Sequence, residues 1–209
     1  MGRNPEQNQQ MKDARKERIF SAAVRLFAAK GLSATKIADI ATASGMSSGL
    51  LYHYFNSKEE IFTELIRTAF DKMNAACKGL ASMDAPPHKK ISMAIDALLK
   101  SLDESEDFAR TCVLIAQATI SDAIPEEAKA VIESEYRRPY QVIARIMAAG
   151  QRAGTIRKGN PKVQALVFWT SFNGLAIYKA VHADTFKKPD PRMLERMFLE
   201  TRVAGKSKH

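Results

Sequence analysis

The sequence predicts an all-α protein: an N-terminal three-helix helix-turn-helix head, a long linking helix and a C-terminal helical bundle, about nine helices in total. Two observations predict it. Apolar residues recur at helical spacing from end to end, and no alternating apolar and polar run is long enough for a strand. The breaks between periodic stretches carry helix punctuation: a Ser-x-x-Glu box at Ser57–Glu60, and Asn-Pro and Asp-Pro pairs at Asn160 and Asp190. The 209 residues are 45% hydrophobic and 26% charged, enough apolar side chain for a packed core. That composition excludes a disordered tail, a collagen-like repeat and a disulfide scaffold.

Residues 12–29 read as the first helix. Ile19, Ala23, Leu26 and Phe27 share one face, and Lys12, Arg15, Lys16, Arg18 and Arg25 cover the rest. Gly31 ends it as a left-handed cap. Thr35 then caps a short helix through about Ala43, with Ile37, Ile40 and Ala41 inward, and Gly45 stops it. Ser47 caps a third helix to about Tyr54. The Ser57–Glu60 capping box opens a long helix to about Ala81. Residues 83–90 form a loop. Helices over 90–103 and 107–121 follow, split by the acidic stretch Asp103–Asp107. Ile124-Pro125 begins one helix lasting to about Arg152 and bent near Pro139. After a turn over 153–161, Asn160-Pro161 opens a helix to about Ala183. Asp190-Pro191 opens a last one to about Val203, and Gly205–His209 fray. The domain boundary falls after residue 57: residues 1–57 form the head, and 58–209 the remainder.

Charge separates the same regions. Residues 1–58 hold nine Lys/Arg against four Asp/Glu, residues 59–184 hold sixteen of each, and residues 185–209 hold seven against three. A basic head on a neutral body fits a polyanion partner for the head, or a solvated basic face. The N-terminus is polar, without the apolar core of a leader. The most apolar stretch, 163–178, is interrupted by Gln164, Thr170, Ser171 and Asn173 and reads as a buried helix, with no membrane span. Cys77 and Cys112 are unpatterned and fit reduced thiols, so the expected location is cytoplasmic.

Residues 35–58, TKIADIATASGMSSGLLYHYFNSK, carry the main motif. Counting Ile37 as one, Ala41 is fifth, Gly45 ninth and Leu51 fifteenth. Two helices crossing steeply need a small side chain near Ala41, where they come closest. The tight turn needs the positive φ that Gly45 permits. Ile37, Ile40 and Leu51 give the shared core. In such a motif the second helix enters the major groove of duplex DNA. Here it begins Ser47-Ser48-Gly49, small residues that let the backbone come close, with hydroxyls able to reach a phosphate or a base edge. Tyr52 and His53 lie about a turn further along. Thr35 with Lys36, and Lys58, sit at helix starts on the same side. Thr35, Ser47 and Ser57 serve equally as helix caps, and Tyr54 and Phe55 as core.

From the first helix through GMSSGLLYHYFNSKEEIF (45–62) the chain resembles the TetR-type transcriptional regulators, specifically over residues 12–65 and by architecture beyond them. The resemblance implies a homodimer with paired DNA-binding heads, joined through the segments 161–183 and 191–203, and a small-molecule effector bound in the C-terminal half. It places contacts to a double-stranded operator on Thr35, Lys36, Ser47, Ser48, Gly49, Tyr52 and Lys58. Ser48 replaces the Lys, Arg or Gln common at its position, which shifts weight to Lys36 and to an arm with Arg3, Lys12 and Arg15.

The neutral half fits a mostly apolar effector. Phe108 and Cys112 share a helix face with Ile115 and Thr119; Tyr140 and Met147 share another; Trp169, Phe172 and Asn173 crowd a third, and Gln117 adds a polar group. The same side chains would also serve as ordinary core. The expected function is a sequence-specific repressor released by its effector; the alternative is a helical adaptor without specific DNA binding. No catalytic motif, metal-ligand spacing or cofactor loop is found: the four histidines are scattered, and there is no Gly-rich phosphate loop.

Overall fold

A computed structural model of the chain describes residues 5–200. Among these residues there are ten α-helices: α1 Pro5–Ala34, α2 Ile37–Ala43, α3 Ser48–Tyr52, α4 Lys58–Ser82, α5 Pro87–Glu104, α6 Glu106–Ile120, α7 Glu126–Glu135, α8 Arg137–Arg152, α9 Pro161–Val181 and α10 Pro191–Phe198. A short 3-10 turn covers Ala183–Thr185, and a single β-bridge joins Ile156 to Leu199. The chain gathers into two compact units. Of the described residues, the first takes those up to Phe70 together with Asp107–Glu135; the second takes Asp71–Glu106 and those from Tyr136 to Glu200.

The first unit is built on α1. Ile19, Ala22, Ala23, Val24 and Phe27 are buried, facing Ile40 and Ala41 of α2, Leu51 of α3, and Ile61, Phe62 and Ile66 of α4. Phe27 meets Phe62 edge-on at 5.4 Å, and Phe20 meets Phe55 at 5.8 Å. Helices of seven and five residues are marginal alone, so this shared core holds α2 and α3 in shape. Helix α1 starts at Pro5, ahead of the expected Lys12, and its exposed first turns gain an i,i+4 bond from Gln9 Nε2 to Asp13. Gly31 breaks it with φ of 77°. On the same unit, Ser21 of α1 donates its hydroxyl to the carboxylate of Asp107 in α6, which also pairs with Arg110 at 3.1 Å.

The expected helix over 124–152 is two helices, which brings the count to ten. Pro139 has no N–H for the carbonyl of Glu135, and its ring crowds that oxygen. The break falls one turn earlier, at Tyr136, so Pro139 sits in the first turn of α8, where its N–H is not needed.

In the second unit, Ile91, Ile95, Leu99 and Leu102 form the buried stripe of α5. They face Ile143, Ile146 and Met147 of α8, Phe168, Phe172 and Ala176 of α9, and Phe198 of α10. Lys179 is buried in this core. Its ammonium donates to the carbonyls of Leu102 and Asp103, satisfying the end of α5, and lies 5.6 Å from the ring of Phe186. The last helix stops at Phe198, short of the expected Val203, because the chain there pairs with the turn after α8. Arg157 N–H donates to Phe198 O at 2.8 Å, and Glu200 N–H to Thr155 O at 3.2 Å. Arg3, Val203 and Gly205–His209 lie outside the described residues.

Both thiols are free, and burial pushes them up, Cys77 to about 11 and Cys112 to about 12. A neutral thiol is a poor nucleophile. Neither cysteine should therefore react with an aromatic disulfide reagent near neutral pH in the folded protein, and both should react after unfolding in guanidinium. A thiol titrating within seconds under native conditions would contradict this.

Candidate nucleic-acid interface

The corner between α2 and α3 is closed by main-chain bonds. Gly45 has φ of 68°, its N–H donates to Thr42 O at 3.1 Å, and Met46 N–H donates to Ala41 O at 2.9 Å. This is a glycine-centred helix stop, and the left-handed φ is its requirement. Ser47 caps α3, its Oγ accepting from Leu50 N–H at 3.2 Å. Leu51 is fully buried, while Ser48, Gly49, Tyr52 and His53 are exposed. Tyr52 is 52% exposed. No heavy atom lies within 4 Å of where a Cβ on Gly49 would sit, so this part of the helix surface is open.

Thr35 requires a correction. It is completely buried, and its hydroxyl donates to Gly31 O at 2.7 Å. It therefore cannot meet a phosphate, and it is not the cap. Lys36 is the N-cap residue, with its N–H donating to Asp39 Oδ2 at 3.3 Å. The Lys36 side chain is exposed. Thr35 ties the kinked end of α1 to the start of α2, a role its β-branched, hydroxyl-bearing side chain fills without solvent.

Lys58 also turns inward. Its ammonium donates to the carbonyls of Leu32, Ser33 and Thr35 at 2.9, 3.0 and 2.9 Å. All three of its protons are used within the head. The capping box is offset by one residue: Ser57 Oγ accepts from Glu60 N–H at 3.1 Å, but the Glu60 carboxylate reaches back to Asn56, taking its N–H at 2.6 Å and its Nδ2 at 3.0 Å. Ser33, Lys36, Ile37, Tyr52, Asn56 and Glu59 border an open groove between the two helix starts and the end of α3. Sequence reasoning missed Asn56. Its position next to a capping serine was the available signal. Behind the groove, Arg15 donates to the Tyr54 hydroxyl at 3.3 Å and Lys16 lies 5.9 Å from the Phe55 ring, so both aromatics are packing residues.

The expected effector residues divide between the units. Phe108, Cys112 and Gln117 belong to α6 in the first; Tyr140, Met147, Trp169, Phe172 and Asn173 belong to the second. Gln117 is exposed at the surface of α6, so the expectation that it faces the interior is corrected; Phe108 and Cys112 are half-buried. In the second unit the aromatics meet: Tyr140 lies 6.0 Å from Trp169, Trp169 is 5.3 Å from Phe168, and Phe168 is 5.0 Å from Phe172. Met147 is fully buried core, and Asn173 is half-buried one turn from Trp169. Among the described residues no three His, Cys, Asp or Glu side chains cluster to hold a metal, and no helix is long and apolar enough to cross a membrane.

Two short helices meeting at a glycine corner, the second facing outward from a core supplied by α1 and α4, define a helix-turn-helix protein. Residues 19–65 match the model of the bacterial regulatory proteins of the tetR family, so this N-terminal segment is a TetR-type helix-turn-helix domain. It is 27% identical over 203 residues to the HTH-type transcriptional regulator YfiR of Bacillus subtilis (strain 168), spanning 95% of this chain and 96% of that one. It is 27% identical over 146 residues to the HTH-type transcriptional repressor KstR2 of Rhodococcus jostii (strain RHA1), 70% of each. The structure of the ketosteroid transcriptional regulator KstR2 of Mycobacterium tuberculosis has the same fold, with a TM-score of 0.69 at 19% identity over 90% of this chain and 96% of that one.

Proposed function

We propose that the chain is a homodimeric, cytoplasmic repressor that binds a near-palindromic operator through α3 and is released by a small, mostly apolar effector. The observation that carries this reading is the outward face of α3, where Ser48, Gly49, Tyr52 and His53 stand clear of the head's own core. Ser48 and His53 would face base edges, Tyr52 the backbone, and Gly49 would admit the sugar-phosphate chain closely. Ser47 would hold the helix start. Lys36, with Lys12 and Arg18 exposed on α1, would neutralise phosphates. In this reading Lys58 shapes the phosphate-facing surface from within.

Titration of the DNA flanking the protein's own gene, over a salt series, tests the proposal. The double variant Ser48→Ala, Tyr52→Ala should lose about tenfold or more in specific affinity, at about 1–3 kcal/mol per base or backbone contact, while its circular dichroism stays unchanged. Binding equal to the parent would rule out α3 as the reading helix. Equal affinity for all sequences would leave only a salt-dependent coat of DNA.

Dimerisation is supported by α9. Val163, Leu166, Ile177, Tyr178 and Val181 are exposed at helical spacing, and Met193 and Met197 are exposed on α10. A stripe of this kind is what two copies bury about a two-fold axis, and a two-fold dimer sets half-sites one or two helical turns apart. Leu166→Glu with Ile177→Glu should give a monomer by sedimentation and weaken operator binding by at least about tenfold. A dimer that survives both charges would place the interface elsewhere.

The aromatic set of the second unit supports an apolar effector, and KstR2, which shares this fold, is a ketosteroid transcriptional regulator. Release would be a population shift, the effector binding better to the dimer with mis-spaced heads, with α4 as the lever because it runs from the head into the second unit.

A further inference from the structure

Among the described residues, His88 Nδ1 and Trp169 Nε1 are buried polar atoms of the second unit that meet no hydrogen-bond partner. The indole Nε1 of Trp169 is buried and meets no acceptor, although the residue is only 8% exposed. Buried N–H groups are nearly always paired, so an unpaired one calls for a reason. The indole is flanked by carbon: Phe168 packs against it edge-on at 5.3 Å, and the Tyr140 ring lies 6.0 Å away. The nearby Tyr140 hydroxyl is already paired with that of Tyr136 at 2.9 Å. Burial holds the Tyr140 phenol well above its usual range, so it stays neutral and offers no charge.

We propose that Trp169 Nε1 is the hydrogen-bond donor that selects the effector, and that the effector is an apolar, ring-bearing molecule with a carbonyl oxygen. The inference rests on the effector-sensing reading above and adds the polar feature it lacked. The aromatic faces of Tyr140 and Trp169 take the flat apolar body. The indole N–H takes the one oxygen, and Asn173, one turn along α9, stands at the edge of the same surface. The ring contacts of Trp169 are with the side chains of Tyr140 and Phe168, which suits a neutral ketone. A site built to donate one hydrogen bond rejects the analogue without the acceptor, because the donor is then left unpaired.

Trp169 is the sole tryptophan of the chain, so its indole gives one N–H resonance. The full-length protein is titrated with matched pairs, acetophenone against ethylbenzene and an acetylnaphthalene against the corresponding ethylnaphthalene. Affinity is read by calorimetry and the indole by proton–nitrogen correlation. The ketone of at least one pair should bind about tenfold more tightly than its hydrocarbon and move the indole resonance downfield. Trp169→Phe should reduce that preference to near unity, because the ketone loses its hydrogen bond while the ketone and the hydrocarbon lose the same ring area. Biosynthetic replacement of the tryptophan by benzothienylalanine, which keeps the ring shape and lacks the N–H, should do the same without altering packing. Equal affinity within every pair with an unmoved indole overturns the donor role and leaves the sensor reading intact. No binding of any member overturns both.

Discussion

Lys58→Met is expected to destabilise the head by about 2 kcal/mol and to weaken DNA binding without removing a DNA contact. The ammonium bridges three carbonyls, those of Leu32, Ser33 and Thr35, at the junction between the kinked end of α1 and α2. Methionine keeps the length and the apolar stem but donates nothing. Ser33 is exposed, so its carbonyl can turn to water; Thr35 is completely buried, so its carbonyl cannot without moving the backbone. Hydrogen bonds to a charged donor contribute about 1.5–3 kcal/mol each and do not add fully within one group, which sets the total near 2 kcal/mol. For a chain of this size that lowers the melting temperature by about 4–8 °C. The salt slope of operator binding separates this role from a direct contact. Loss of one phosphate contact lowers the slope by about one ion. An unchanged slope with a lower melting temperature is expected; a lower slope with unchanged stability would put Lys58 on the phosphate instead.

Gly150→Ala is expected to be the more damaging change in the second unit, although alanine is the better helix former. A Cβ at position 150 would lie 2.4 Å from Ile156 Cδ1, 2.5 Å from its Cγ1 and 3.0 Å from its Cβ. Ile156 cannot swing aside. It is 1% exposed, its N–H donates to Gly150 O at 3.2 Å, and it forms the bridge with Leu199. Overpacking of this kind costs about 1–3 kcal/mol and backbone movement adds to it. The helix-propensity gain is at most about 1 kcal/mol. A net loss of about 2 kcal/mol, or a melting temperature about 4–8 °C lower, is the expected result. Ile156→Ala in the same chain should recover part of the Gly150→Ala loss, giving a favourable coupling in the double-mutant cycle. A Gly150→Ala variant as stable as the parent would mean that the turn after α8 has room the structure does not show.

The helix-turn-helix head was legible because its constraints are local. The glycine at position 45, the small residue at position 41 and the cap at Ser47 each act within a few residues of themselves, so their order along the chain specifies their geometry. The same locality allowed Asn160-Pro161 and Asp190-Pro191 to mark helix starts: both caps accept from the N–H two residues on, at 2.9 Å. Thr35 and Lys58 were misjudged for the opposite reason. A threonine at a helix start and a lysine beside a capping box look alike whether they face solvent or the interior. Their partners, Gly31 and the carbonyls of Leu32–Thr35, are chosen by how α1 and α4 meet.

What the chain order decided by itself is therefore the helical class, the glycine corner and the outward set on α3, since hydrophobic period and backbone freedom are properties of neighbouring residues. What tertiary packing alone decided is the placement of single polar groups: the inward turn of Lys58, the burial of Lys179 against the end of α5, the stop of α10 at Phe198, and the unpaired indole of Trp169. Each depends on a partner or a neighbour far away in the chain, and a hydrogen bond that needs an angle and a distance is not specified until the helices have packed.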